Sequence, residues 1–452
     1  MATRLRQQTR RTAAQMHALA AVRRDIRSQD SVAACRYLRE FAEAFRQYDA
    51  VLGPELLQER VCAADIVFIG DYHALPASQR CAAELLEATA RQRPVVLAIE
   101  AVLTRDQRIL DQWWRREISA EELRRRLRFD REWGYSWEPV YELLNGAREQ
   151  AEGLYGIDCM PREDMRRIRA RDRHAAAKIR EIRERHPHAT ILVLFGESHM
   201  APQHLPAAVR RLQPGETLLT VLQNVDPLYW QAVAEQKARG QISPVAIGEE
   251  AICVFNSSPL EKYESYRICL NGWNDAQEAQ QDFAPAIYNL IFSLARSLGF
   301  RLDSPSNGTQ PKFLADSLPE VVTLEENAFA AATAGSEKSC LYLAESNSFM
   351  VREFRIPEAA GECARFLHFA CRGMSGGCAQ STFVEDAVAR FGSRLLSPEL
   401  RVENSSLGDR LYEAYLSAKI GKPELRRIFL THLETREQAD EALREITRLA
   451  NA

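Results

Sequence analysis

The stretch Ala64-Asp-Ile-Val-Phe-Ile-Gly-Asp-Tyr-His73 decides how this sequence is interpreted. An apolar run, Ile66 to Ile69, ends in a glycine, and a histidine follows that glycine three residues later. A short continuous apolar run of this kind is typical of a strand that is buried on both faces of a parallel sheet. Because the glycine permits a sharp turn, we expect Asp71 and His73 to lie at the carboxyl end of this strand.

The same arrangement recurs later in the chain. Residues 189–200 read Ala-Thr-Ile-Leu-Val-Leu-Phe-Gly-Glu-Ser-His-Met, so that His199 again follows a strand-ending glycine by three residues. Between the two motifs, the apolar run 94–100 ends in Glu100. Ligands of open α/β sheets bind outside the carboxyl ends of the strands. The sequence therefore predicts that two imidazoles and one carboxylate meet at one edge of a sheet.

Strands and helices alternate through the first half of the chain. This alternation predicts an α/β fold with a mostly parallel sheet flanked by helices. The second half is predicted to be mainly helical, with a β-hairpin over residues 339–355. We expect N-terminal helices in residues 1–60, an α/β domain in 61–250 with a helical insert in 104–150, and a mainly helical C-terminal domain in 251–452.

Composition excludes several classes of protein. The formal net charge of the 452 residues is -3, which gives no electrostatic reason to expect a nucleic-acid partner. There is no apolar run long enough for a transmembrane helix, and the apolar stretch 13–22 is a poor signal peptide. The ten cysteines form no Cys-x-x-Cys pair. Reduced thiols in a cytoplasmic protein are the simplest interpretation.

The predicted helical insert is rich in tryptophan. A segment placed after the second strand would overhang the carboxyl edge of the sheet, where it would serve as a lid or as a pocket wall. Tryptophans at these spacings are more often packing residues, and we favour that interpretation. The four indoles in question are Trp113, Trp114, Trp133 and Trp137.

His73, Glu100 and His199 suit two kinds of chemistry. Two imidazoles and a carboxylate are ligands of a catalytic zinc, manganese or iron ion that keeps open positions for water. They equally suit catalysis without a metal, in which a histidine deprotonates water and a carboxylate orients it. Asp71 and Glu197 each lie two residues from a histidine, so either one is a partner that orients an imidazole or is itself the general base.

Four ionisable residues, Arg171 to His174, lie on the helix that precedes the second histidine motif. A charged, solvated helix face with ion pairs along the helix is the favoured interpretation. A functional role stays open for Arg171 and Asp172, since an arginine in this position could bind an anionic group of a substrate bidentately.

These motifs, in this order, resemble the Tiki/TraB/erythromycin-esterase superfamily, and in particular its ChaN-like haem-binding uptake branch. The resemblance covers roughly residues 60–270, and the tryptophan-containing insert supports the branch. The motifs that carry it are Gly70-Asp-Tyr-His73, Glu100, Arg171-Asp-Arg-His-Ala175, Gly196-Glu-Ser-His199 and Asn256-Ser-Ser-Pro-Leu260.

Three functional hypotheses follow from the residues gathered at the sheet edge and from this resemblance. The first is a metal-dependent hydrolase of an ester, lactone or peptide bond, with a small-molecule or peptide substrate. The second is a haem-binding or tetrapyrrole-binding protein, a homodimer as implied by this branch, in which Tyr72 or Tyr135 would ligate the haem. The third is a structural or regulatory protein that keeps the fold without the chemistry. Two departures from ChaN are expected, since residues 1–30 show no lipoprotein signal and Asp71 stands where many members of the superfamily carry glutamate.

Overall fold

The computed structural model divides the chain into two compact units. The first, which we call the helical unit, contains Met1–Ile26, Ala238–Gln241 and Arg267–Ala452, and the second, the sheet unit, contains Arg27–Lys237 and Ile242–Tyr266. The predicted division at residues 60 and 250 stays a prediction. The residues that the structure describes are 12–29, 36–160, 168–236, 242–274, 281–300, 318–372, 376–398 and 406–451.

The sheet unit is built on one eight-stranded sheet with the order β1-β7-β8-β6-β2-β5-β3-β4. Strands β6, β2, β5, β3 and β4 run parallel to their neighbours, and β1 and β7 are antiparallel additions at one edge. The strands are β1 (Ala50–Val51), β2 (Ile66–Asp71), β3 (Val95–Leu103), β4 (Gly153–Asp158), β5 (Thr190–Gly196), β6 (Leu218–Gln223), β7 (Val245–Ile247) and β8 (Ala251–Val254).

Helices flank the sheet, as the alternating pattern predicts. Every residue of β2, β5 and β6 is buried, which explains why these strands are continuous apolar runs with no alternation. The helices of the sheet unit are α2 (Arg36–Ala44), α3 (Pro54–Ala63), α4 (Pro76–Ala90), α5 (Gln107–Trp114), α6 (Ala120–Arg126), α7 (Phe129–Glu132), α8 (Trp137–Gln150), α9 (Ile168–Arg185), α10 (Leu205–Leu212) and α11 (Asp226–Glu235).

The predicted insert is helical, and its tryptophans pack. The insert corresponds to α5–α8, and Trp113, Trp133 and Trp137 are buried in the hydrophobic core that also contains the sheet. Burial of three large aromatic side chains supplies several kcal/mol of favourable transfer free energy, at roughly 25 cal/mol per Å². The packing interpretation is therefore confirmed for these three residues.

Three strands at one edge were not predicted. β7 and β8 form a hairpin whose turn contains Gly248 in the left-handed region, at φ 64°. β8 then pairs in parallel with β6 and extends the main sheet. Strands of two to four residues are too short to show a periodic pattern, which is why this region looked like a domain boundary.

The helical unit contains a small second sheet. Its strands, in the order β10-β11-β9, are β9 (Glu320–Thr323), β10 (Cys340–Leu343) and β11 (Ser348–Val351), and β10 and β11 form the predicted hairpin. The sequence also predicts a loop at 304–311 and a flexible break at 372–377, and the loop and residues 373–375 of the break lie outside the described residues. The remaining helices are α13 (Ala284–Leu298), α14 (Glu326–Ala332), α15 (Ile356–Arg372), α16 (Ala379–Leu396), α17 (Leu407–Leu416), α18 (Lys422–Phe429) and α19 (Arg436–Ala450).

Two helices contain a boundary between the units, α1 (Ala13–Gln29) and α12 (Pro259–Asn274). Within the described ranges, no helix has the length and apolar character needed to cross a bilayer. The nine cysteines in those ranges are all free thiols.

Candidate active site

Three neighbouring strands bring the predicted residues to one edge of the sheet. β2, β5 and β3 are adjacent and parallel, so their carboxyl ends share that edge. His73 follows β2, and His199 lies in a short 3-10 turn, Glu197–Met200, directly after β5. β3 runs on to Leu103, so Glu100 lies within this strand and not at its end.

His73 is held by an aspartate. Its Nδ1 lies 2.7 Å from Oδ2 of Asp71, and Oδ1 of Asp71 accepts a hydrogen bond from Nε2 of Gln79 at 2.5 Å. Because an ionised carboxylate only accepts, this bond places a proton on Nδ1 of His73. Burial acts to lower the pKa of His73, but the carboxylates of Glu100 and Asp71 outweigh burial and raise it above the usual 6.5.

Glu100 faces the other ring nitrogen of His73. Its Oε2 lies 3.6 Å from Nε2 of His73 and accepts the backbone N–H of Gly196 at 2.5 Å. Its Oε1 accepts a hydrogen bond from Arg171. Burial alone would raise the pKa of this carboxyl, but His73, Arg171 and His199 together hold it well below the usual value. Glu100 is therefore a buried anion at neutral pH, with its charge next to an imidazole.

Arg171 joins two carboxylates. It donates to Asp158 through Nε and Nη2, each at 2.9 Å, and to Glu100 through Nη2. Burial opposes the charged guanidinium, but Glu100 and Asp158 more than compensate and raise the pKa of Arg171. The interpretation of residues 171–174 as a solvated helix face is wrong for Arg171 and Asp172, since only 6% and 4% of their surfaces are exposed.

His199 is held by a second aspartate, Asp172. Its Nδ1 lies 2.6 Å from Oδ1 of Asp172, and the hydroxyl of Tyr37 donates to Oδ2 of the same carboxylate. Burial and the Asp172 charge raise the pKa of Tyr37 well above its usual value, so this phenol keeps its proton and remains a donor. The ring of Tyr37 also stacks on His204 at 3.4 Å. Each motif histidine is thus paired through Nδ1 with a buried aspartate.

Gly196 has no side chain, and this allows Glu100 and His73 to lie close to its backbone. A Cβ atom at this position would lie 3.2 Å from Oε2 of Glu100 and 3.2 Å from Nε2 of His73. Contacts this short are tighter than most that real side chains make. The glycine that ends β5 therefore matters for the close approach of its backbone to the site.

Aromatic residues of the insert lie against His73. The ring of Trp133 is 4.4 Å from the imidazole, and the ring of Tyr135 is 5.2 Å from it. The His73 side chain keeps 20% of its surface exposed, whereas that of Glu100 keeps 4%. The insert is thus both part of the core and a wall of the site, and solvent reaches the site at His73.

Glu197 does not pair with a histidine. Its Oε2 accepts a hydrogen bond from Nζ of Lys262 at 2.7 Å, and Lys262 lies 4.6 Å above the ring of Tyr72. Burial is the main cause that raises the pKa of Tyr72 well above 10. Tyr72 is therefore a neutral phenol beneath a lysine, and Glu197 and Lys262 form a partly buried ion pair beside the histidine motif.

The structure brings six of the predicted residues into one cluster of hydrogen bonds and charges, namely Asp71, His73, Glu100, Arg171, Asp172 and His199. Sequence reasoning missed four further residues, which are three members of this cluster and Lys262, the partner of the neighbouring Glu197. Asp158 ends β4 and had a signal of its own, since a carboxylate at a strand end is the same feature that singled out Glu100. The other three have no such signal and are Tyr37, Gln79 and Lys262.

The arrangement of His73, Glu100 and His199 differs from that of a typical metal site. Within the described part of the chain, no group of three histidine, cysteine or acidic side chains is arranged to hold one ion. Both oxygens of Glu100 already accept hydrogen bonds, and one of the donors is the positive Arg171. A guanidinium at this distance repels a divalent cation. Ligation of a metal by His73, Glu100 and His199 stays a prediction.

A family model and solved structures are similar to parts of this chain. No curated protein matches the chain. A solved structure of ChaN of Campylobacter jejuni with cofacially bound heme is similar at 13% identity and a TM-score of 0.30, over 38% of this chain and 86% of that one. The structure of the type III effector HopBA1 is similar at 15% identity and a TM-score of 0.33, over 47% and 98%.

Fold and site together define an α/β protein whose ionisable groups gather at the carboxyl edge of a parallel sheet. Residues 57–185 match the family model described as haem-binding uptake, Tiki superfamily, ChaN. This segment contains the first histidine motif, Glu100 and Arg171. The resemblance inferred from the sequence is confirmed there.

Proposed function

We propose that this protein is a hydrolase that cleaves an ester or lactone by general acid–base catalysis. One observation carries the proposal. Nδ1 of His73 is held by Asp71, while Nε2 lies 3.6 Å from Oε2 of Glu100, and the His73 side chain keeps 20% of its surface exposed. An imidazole oriented in this way by a carboxylate is a general base for a water molecule bound at Nε2.

Each residue has a role in this scheme. Neutral His73 takes a proton through Nε2 from water as the water oxygen bonds to the carbonyl carbon of the substrate. The negative charges of Asp71 and Glu100 stabilise the imidazolium that forms. The imidazolium of His73 returns this proton through Nε2 to the leaving alkoxide when the carbon–oxygen bond breaks, which regenerates the neutral base. His199, whose Nδ1 is held by Asp172, accepts a hydrogen bond from the water through Nε2 and so positions it. Water is consumed, and a carboxylic acid and an alcohol are formed, with no step through a metal.

The pH dependence of hydrolysis tests the proposal. The base form of His73 is neutral, and its pKa is raised, so kcat/KM for p-nitrophenyl butyrate should rise with pH with a midpoint above 6.5. Asp71→Asn removes one of the charges that raise this pKa. The midpoint should therefore move to lower pH, and the plateau rate should fall about tenfold or more.

Asp130→Asn is the matched control, because Asp130 is an exposed acid that pairs with Arg124 on the insert surface. It should leave both the midpoint and the plateau unchanged. A midpoint at or below 6.5, or the same midpoint in the Asp71→Asn variant, contradicts the assignment of His73 as the base. A parallel series of lactone and peptide substrates identifies the bond that is cleaved.

Tetrapyrrole binding is a second candidate function. It is favoured by the haem-binding family that residues 57–185 match and by the half-buried Tyr135, whose ring lies beside His73 and 5.5 Å from that of Trp133. A phenolate oxygen and an imidazole are both haem ligands, and a flat ring would pack on the indole. Tyr72 is less suited as a ligand, since burial holds its proton.

Titration with haemin measures this second function. If the protein binds haem through Tyr135, a Soret band should shift and saturate at micromolar haemin, and Tyr135→Phe should weaken binding about tenfold or more. Tyr141→Phe is the control, because Tyr141 stacks on Trp137 elsewhere in the insert. An unshifted Soret band would exclude haem, and equal binding by both variants would exclude Tyr135 as a ligand.

A further inference from the structure

The helical unit contains a cavity that is separate from the candidate active site. It has a volume of about 380 Å³, within the range of roughly 300–1,000 Å³ of small-molecule sites. All of its lining residues belong to the helical unit. They come from α1, from α13 and from one residue of α12, Arg267.

Positive charge dominates this cavity. Arg267 is buried and donates to Oδ2 of Asp25 at 2.9 Å, so that the acid in the lining is paired. Arg24 and Arg296 are exposed, and their side chains form no ion pair or hydrogen bond with any other described residue. The pKa of His17 is lowered by burial and then by the charges of Arg296 and Lys422. The surroundings of His17 are therefore positive, and two guanidiniums are available to a ligand.

The same cavity also has an apolar wall. Phe292 keeps 45% of its surface exposed, although its neighbours along α13, Ile291 and Leu294, are fully buried. Ala20 and Ala21 of α1 contribute small apolar side chains to the lining. An exposed aromatic ring inside a concave site is a feature of ligand pockets, where apolar area adds to a few well-placed polar groups.

We propose that this cavity binds an amphipathic anion, with a phosphate or carboxylate head group on Arg24 and Arg296 and an apolar body against Phe292. Guanidiniums bind phosphate and carboxylate oxygens bidentately, and two of them flanking one cavity favour a single anionic head group. The proposal assigns a binding function to the helical unit and does not depend on the hydrolase proposed for the sheet unit.

Calorimetric titration of the full chain with octyl phosphate below its micelle concentration tests the proposal. Octyl phosphate should bind at one site, whereas inorganic phosphate and 1-octanol should each bind at least about tenfold more weakly, since each lacks half of the recognised group. The double variant Arg24→Glu/Arg296→Glu and the single variant Phe292→Ser should each lose about tenfold or more of the affinity for octyl phosphate.

Arg27→Glu is the control, because Arg27 is an exposed arginine of α1 outside the lining. It should bind octyl phosphate as the unaltered chain does. Equal affinity in the double variant, or affinity for inorganic phosphate equal to that for octyl phosphate, overturns the proposal. Binding to phosphatidylcholine vesicles that contain phosphatidic acid, without binding of monomeric octyl phosphate, would also overturn it, since the partner would then be a membrane surface.

Discussion

Replacement of His73 by alanine is expected to lower kcat for ester hydrolysis by about 10³-fold, a typical contribution of a positioned general base. The substitution removes the only nitrogen in the proposed scheme that accepts the proton of water, while Asp71 keeps its bond from Gln79 and the fold keeps its core. Steady-state rates with p-nitrophenyl butyrate at saturating substrate measure the effect.

Two further observations separate a catalytic role of His73 from a structural one. Added imidazole should restore part of the activity of His73→Ala, because it supplies a base in the space that the side chain has left. His188→Ala alters an exposed histidine far along the chain and should be as active as the unaltered protein. A fall of less than tenfold in His73→Ala, or no rescue by imidazole, would remove His73 from the mechanism.

Arg171→Met is expected to destabilise the protein by about 3–5 kcal/mol, which is the usual cost of removing one partner from a buried ionic group. The substitution would leave the carboxylates of Glu100 and Asp158 without their shared cation, and the side chains of these two residues are 4% and 0% exposed. Urea denaturation at neutral pH measures the loss as a lower midpoint at an unchanged slope.

Two variants calibrate this experiment. Arg169→Met changes an exposed arginine of the same helix and should alter stability by less than about 0.5 kcal/mol. Adding Glu100→Gln to Arg171→Met removes one of the stranded charges and should recover part of the loss. A loss below about 1 kcal/mol for Arg171→Met would show that the buried cluster contributes far less than its geometry implies.

Much of the site could be predicted because strand ends are easily recognised. Apolar runs closed by glycine place His73 and His199 at the carboxyl edge of a parallel sheet, and the strand register then brings Gly70 beside Phe195. The direction and neighbours of these strands follow from general rules of α/β folds. These rules do not predict the edge strands β1, β7 and β8. Such short strands form only because they pair with the edge of a sheet that already exists.

The helical periodicity of α9 predicts that Arg171 and Asp172 are buried. Counting back along the buried face of α9 from Ile182 through Ile179 and residues 175–176, the stripe reaches residues 171–172. Charged side chains on an apolar stripe are then buried and need partners. The charge of Arg171 and Asp172 favours a solvated helix face, whereas their spacing along the helix places them on its buried face.

Other members of the site could not be found in this way. Tyr37 lies 135 residues before Asp172, and its hydrogen bond depends on where α2 packs. Lys262 belongs to a helix near the end of the sheet unit, where a lysine is normally solvated. Contacts of this kind depend on tertiary packing and carry no local pattern.

The two histidines rely on different neighbours. Asp71 and Gln79 support His73, whereas Asp172 and Tyr37 support His199, and no side chain belongs to both sets. The hydrogen bonds of the two sets are therefore independent of each other, although the charge of Glu100 acts on both imidazoles. During evolution one hydrogen-bonded set could therefore change while the other was preserved. A descendant that lost one histidine could use the other for a different reaction within the same fold.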